Sequence, residues 1–312
     1  MTESATLAGW EDPVSVDALR VLKALRELPP DHLVEPGVTA GDAYEVMRVP
    51  EVPAGTAYLP AQVYGTGGGR PLTLHLYART PGERRPGVVF IHGGGFIEGF
   101  PEMLLRYAAA LAAEGYVTAS ISYRLAGEAP HPAQVEDAKC AVRWMRAHAD
   151  EIGLDPDRLG VAGNSAGGHL AAMVGSTPGS LEGVGGSPEA SSAVRAVVLW
   201  YPGVDLRPSR ATERLRVAAS HLLGTDAVDE QTAAAASPIS YVAAAPPTLT
   251  FTGSDDPILP VEQVRDYHRA LSAAGVPNEL VVVEGVGHSF DYNLTRWEEC
   301  FAGLSAWFGS HL

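Results

Sequence analysis

The apolar residues of this chain change period again and again, which restricts the fold more than any other feature. Residues 72–77 alternate as a half-buried strand does, and 87–91 form an almost continuous apolar run suited to a strand buried on both faces. Helical spacing follows over 102–114, then strand character over 117–123, then a strongly amphipathic helix over 132–149. The exchange continues with strands at 159–163, 194–200, 248–252 and 279–283 and helices at 169–174, 261–274 and 297–308. Strand and helix alternating in this way predict an α/β protein: a mostly parallel central sheet with helices on both faces.

Two segments break the alternation. Residues 1–60 show helical spacing over 14–28, stopped by Pro29-Pro30, and then read mostly as Pro- and Gly-rich coil. Residues 206–241 carry helical patches and the alanine run 233–236. Insertions at strand ends commonly form lids. The expectation is an N-terminal cap or arm over 1–60, a main α/β domain over 61–312, and a lid inserted at about 206–241.

Composition narrows the partners. A formal net charge of −15 argues against nucleic acid and anionic membranes. No run approaches the ~18 apolar residues of a transmembrane helix, and the first ten residues carry no secretory pattern. The expected location is therefore cytoplasmic. Cys140 and Cys300 read as buried free thiols, and no zinc spacing occurs, so neither a metal nor another cofactor is expected. The sequence is compatible with a homo-oligomer.

The chemistry-bearing motif is Gly163-Asn164-Ser165-Ala166-Gly167, a G-x-S-x-G set directly after a strand and before a small-residue helix. Such a turn holds its central residue in a strained conformation and lifts the Ser165 hydroxyl above the sheet. An ordinary glycine turn is the bland alternative in a chain with 34 glycines, but the strand-turn-helix context disfavours it. His92-Gly93-Gly94-Gly95-Phe96 follows the strand at 87–91. The amides of Gly93 and Gly94, with that of Ala166, are expected to form an oxyanion hole.

A serine nucleophile needs a base, and ten histidines are available. His148 and His268 lie within helices, His169 sits behind the elbow, and His92 belongs to the glycine motif. His32, His75, His131 and His221 miss the order nucleophile, acid, base, and His311 is terminal. His288 remains, in a loop after the last strand, where it can reach Ser165. The strand at 248–252 runs into Gly253-Ser254-Asp255-Asp256-Pro257, and either aspartate can orient the imidazole or merely cap the next helix. Asp205 also follows a strand, one strand too early. Phe96, Trp200, Tyr201, Ile258 and Phe290 flank strand ends and are candidates for a pocket wall.

These motifs resemble those of the hormone-sensitive-lipase-like esterases, as does Tyr123-Arg124-Leu125-Ala126-Gly127-Glu128. Gly167-Gly168-His169-Leu170-Ala171-Ala172 and Leu154-Asp155-Pro156-Asp157-Arg158 are closer to the related feruloyl-esterase-like branch. The resemblance spans 86–290 and implies the α/β-hydrolase fold, with 61–312 as its catalytic domain. It also implies a serine carboxylesterase acting on small to medium acyl esters, with Asp256 as the acid. Many lipase-like members carry Asp where this chain has Asn164, and Pro where it has Gly127. Two other readings compete: amide hydrolysis of the arylformamidase type on the same residues, and a non-catalytic binding protein of the same fold. A dinucleotide enzyme fails because Gly67–Gly69 precede no helix.

Overall fold

The computed structural model describes Val46 and residues 50–312. The expected helix at 14–28, and most of the expected N-terminal cap, lie outside the described residues. Eight strands form one sheet in the order β1-β2-β4-β3-β5-β6-β7-β8. These are β1 (Ala57–Gly67), β2 (Arg70–Ala78), β3 (Arg85–Ile91), β4 (Val117–Ile121), β5 (Leu154–Asn164), β6 (Ala196–Trp200), β7 (Thr248–Gly253) and β8 (Asn278–Val283). β2 runs antiparallel to both β1 and β4, and every other pairing is parallel.

The helices are α1 (Leu105–Ala113), α2 (Ala133–Ala147), α3 (Ala149–Ile152), α4 (Ala166–Ser176), α5 (Glu213–Leu223), α6 (Glu230–Ala235), α7 (Val261–Ala273) and α8 (Leu294–His311). They cover both faces of the sheet. Val89, Ile91 and Val161 point into a core shared with α2, α4, α5 and α7. Their neighbours Val88, Phe90 and Ala162 point into a second core shared with α1 and α8. The period of two along each strand thus feeds two cores, which is why these strands read as unbroken apolar runs.

Sequence periodicity found seven of these strands but not β1. Most of β1 is exposed and its pairing with β2 contains two register shifts, so no clean alternation marks it. Gly68 and Gly69, both at positive φ, turn the chain from β1 into β2. β5 is also longer than expected and incorporates the Asp155-Pro156-Asp157-Arg158 stretch. In the 206–241 segment the chain forms α5 and α6, joined by irregular structure.

Parallel strands give the site its location. The residues following β3, β5, β6, β7 and β8 all leave from the same edge of the sheet, so loops far apart in sequence meet there. Ile91 pairs with Gly163, and Asn164 with Trp200, which puts the ends of β3, β5 and β6 in register.

Candidate active site

At the end of β5 the chain makes a sharp turn, with Ser165 at φ 53° and ψ −118°. The turn is tight enough that a Cβ on Gly167 would lie 2.0 Å from the Ile91 carbonyl oxygen. Only glycine fits there. Ser165 donates its N–H to the Trp200 carbonyl at 2.9 Å, fastening the turn to β6. α4 begins at the next residue, so the positive end of its dipole faces the Ser165 hydroxyl.

The Ser165 Oγ lies 2.8 Å from His288 Nε2, and His288 Nδ1 lies 2.7 Å from Asp256 Oδ2. Asp256 is held in turn: its Oδ1 accepts the amides of Ile258 at 2.8 Å and Leu259 at 2.9 Å. Asp255, the alternative acid, points outward and accepts the Ser254 hydroxyl. Asp205 is also buried, but it pairs with Arg207 and Arg210 rather than with a histidine. His288 and Asp256 are nearly buried, at 5% and 7% exposure, so their contact is shielded from water.

The glycine loop differs from expectation at one position. The Gly93 amide donates to Asn164 Oδ1 at 2.8 Å, which removes it as an oxyanion donor. Gly94 and Gly95 line the cavity beside Ser165 and Ala166, and their amides make no hydrogen bond to another described residue. Gly95 therefore replaces Gly93 in the candidate set, alongside Gly94 and Ala166. His92 braces the loop from behind: its Nδ1 meets the Gly93 carbonyl at 2.7 Å and its ring stacks on Tyr123 at 4.4 Å. Burial pushes the His92 imidazole down to about 4, so it stays neutral.

A cavity of about 320 Å³ opens from this group. Phe96 and Ile258 line it, but Trp200, Tyr201 and Phe290 do not. Trp200 shares its strand face with Val198 and packs against Tyr107 at 4.6 Å in the α1–α8 core. Tyr201 sets its ring edge-on to His288 at 4.6 Å, with Phe290 packed against it. The cavity wall comes instead from Leu206 and Leu259 and from α5, through Leu215, Val217, Ala218 and His221. The helical spacing within 206–241 was the available signal for α5. Nothing in it indicated which face meets the cavity.

Six non-glycine residues among those described sit at positive φ, and four of them belong to this region: Phe96, Ser165, Tyr201 and Ser289. Backbone strain gathered at one place is what a site over-determined by its surroundings shows.

A sheet of this order, with a serine elbow after β5 and a histidine after β8, defines an α/β hydrolase. The BD-FAE family model matches residues 74–271, and the chain belongs to that family. It is 35% identical over 220 residues to the esterase LipC of Mycobacterium tuberculosis, covering 68% of this chain and 54% of LipC. The carboxylesterase NlhH of the same species is 32% identical over 218 residues, 64% of each chain. The chain thus spans little more than half the length of LipC and somewhat under two thirds of NlhH. Among solved structures, an esterase from Thermogutta terrifontis superposes with a TM-score of 0.71 at 30% identity, covering 85% of this chain and 96% of that one. Among the described residues, no helix is long and apolar enough to cross a membrane.

Proposed function

We propose that this protein hydrolyses carboxylic esters of small to medium acyl groups by a two-step acyl transfer. His288 takes the proton of Ser165 as the hydroxyl oxygen attacks the ester carbonyl. The amides of Gly94, Gly95 and Ala166 receive the negative oxygen of the tetrahedral intermediate. His288 then delivers its proton to the departing alcohol, leaving an acyl group on Ser165. Water, deprotonated by the same imidazole, attacks the acyl-enzyme, and the acid leaves as Ser165 regains its proton. Asp256 keeps Nδ1 protonated and stabilises the imidazolium.

The observation that carries this reading is the unbroken line from Ser165 Oγ through His288 to Asp256, at 2.8 and 2.7 Å, at the end of a cavity lined mainly by apolar side chains. Esterase names among the relatives support the choice of ester over other acyl substrates. The cavity volume and the wall contributed by α5 support an acyl chain of limited size, with α5 and its neighbours acting as part of a lid. The test is hydrolysis of p-nitrophenyl esters of graded acyl length by wild type, Ser165→Ala and His288→Ala. Turnover by wild type that both variants lose is the expected result. Turnover retained by Ser165→Ala refutes the mechanism.

A further inference from the structure

A second buried carboxylate follows closely on the catalytic histidine in the chain. Asp291 is 2% exposed and lies three positions after His288. Among the described residues it has no ion pair with Lys or Arg. Its Oδ1 accepts the Tyr201 hydroxyl, and its Oδ2 accepts the Tyr107 hydroxyl at 3.2 Å. Both oxygens are thus engaged by buried tyrosine hydroxyls.

The Tyr201 hydroxyl has a second partner, since it accepts Asn164 Nδ2 at 3.3 Å. The orientation of that amide is set from its other end. Asn164 Oδ1 accepts the Gly93 amide, and an N–H can only be met there by oxygen. The donors consequently run in one sense along a buried line, Asn164 to Tyr201 to Asp291. That line joins the glycine loop beside Ser165 to the loop that carries His288. Tyr201 sits at φ 36°, and its ring meets the His288 imidazole in a T-shaped contact at 4.6 Å.

We propose that Asn164, Tyr201 and Asp291 form a positioning relay that fixes the oxyanion loop relative to His288. The inference rests on the ester-hydrolase reading above. An aspartate at 164 would lack the amide hydrogen that Tyr201 accepts, so Asn164 is the residue that completes the line. Burial holds the Asp291 carboxyl above the usual range, with Tyr201, Tyr107 and His288 opposing the shift. The other polar groups facing His288 are Ser165 and Asp256 in direct contact. Glu98, Glu213, Arg214 and His221 line the cavity across from it.

The test uses Tyr201→Phe, Asp291→Ala and Asn164→Asp, read as kcat and KM, with intact folding checked by circular dichroism. The relay predicts that Tyr201→Phe and Asn164→Asp each lower kcat about tenfold or more while KM stays within about twofold. Asp291→Ala removes the acceptor that ends the line and lowers kcat to a similar extent. Tyr107→Phe removes one donor to Asp291 but leaves the line intact, and its kcat should stay within about twofold of wild type. Wild-type turnover abolished by Ser165→Ala tests the hydrolase reading itself, and only the relay variants test the relay. The ring resonances of His288, followed by NMR without substrate, report whether these variants disturb the imidazole's setting, even if wild type hydrolyses no ester. Folded Tyr201→Phe and Asp291→Ala with kcat within about twofold of wild type, or His288 resonances unmoved in both, overturn the proposal. Where Asp291→Ala does not fold, Tyr201→Phe, which keeps the ring, decides.

Discussion

The elbow and its facing loops differ in kind from the α5 wall opposite them. Around Ser165 the geometry is set by backbone: strained φ angles at four residues and a glycine that no side chain can replace. Across the cavity, α5 is an ordinary amphipathic helix, capped by the Thr212 side chain on the Leu215 amide and stopped by Gly224 in the left-handed region. Its contribution to the cavity is made by side chains that can change without moving the main chain. In the proposed ester hydrolysis, reaction chemistry and substrate choice therefore have separate physical origins. The first should tolerate almost no substitution, and the second should respond gradually.

The largest effects test the backbone-built side. Ser165→Ala or His288→Ala should lower kcat/KM on a p-nitrophenyl ester by on the order of 10⁴-fold or more, without unfolding the protein. A loss of only tenfold would mean that the chemistry does not run through this pair. Asp256→Asn should cost at least about 10²-fold, because the imidazole loses its partner and its tautomer is no longer fixed. Asp255→Asn, one residue earlier and turned outward, should leave the rate within about twofold. Equal losses from the two substitutions would place the constraint in the loop backbone rather than in the Asp256 carboxylate.

The same contrast separates what could be read in the sequence from what could not. The elbow was legible because a strand, a G-x-S-x-G and a small-residue helix in succession admit few other structures. His288 was legible because chain order sets aside four of the other histidines and their placement in helices, in motifs or at the terminus sets aside the remaining five. Asp256 needed the resemblance, since both aspartates follow β7 and only the fold turns one of them inward. Gly93 was misread because His92-Gly93-Gly94-Gly95 does not reveal which amide turns inward. That is decided by Asn164, a side chain 71 residues away. Trp200, Tyr201 and Phe290 were misplaced for a related reason. Position at a strand end does not fix which face a residue takes, and Trp200 falls in phase with Val198, away from the cavity. The α5 wall was legible as a helix but not as a wall, because its spacing is compatible with several contacts.

Acid should act through the backbone-built side as well. His92 behind the glycine loop and His169 behind the elbow are both buried, and burial holds each down to about 4. In the unfolded chain each returns to roughly 6.5. Their stabilising contribution is thus complete above that value and is lost as pH falls from about 6.5 toward 4, where the unfolded state binds protons that the native state refuses. The slope approaches about 1.4 kcal/mol per pH unit for each histidine. Urea unfolding midpoints should fall steadily between pH 6.5 and 5. Replacing His169, which contacts the Gly203 carbonyl at 2.7 Å, with Gln should make that fall shallower. A midpoint that stays flat over this range would show that both rings find a way to charge inside the fold.

The smallest effect belongs to α5 and tests the comparison most directly. Ala218 lines the cavity and is partly buried, so a phenylalanine there would reach into the space beside Ser165. Ala218→Phe should leave acetate-ester turnover within about twofold and reduce kcat/KM for longer acyl esters by about tenfold, the scale of a steric change in an apolar pocket. The ratio between short and long esters is the quantity to measure. If it shifts while the short-ester rate holds, α5 selects substrates without touching the chemistry. If both rates fall together, the helix is mechanically tied to the elbow, and the separation between the two regions fails.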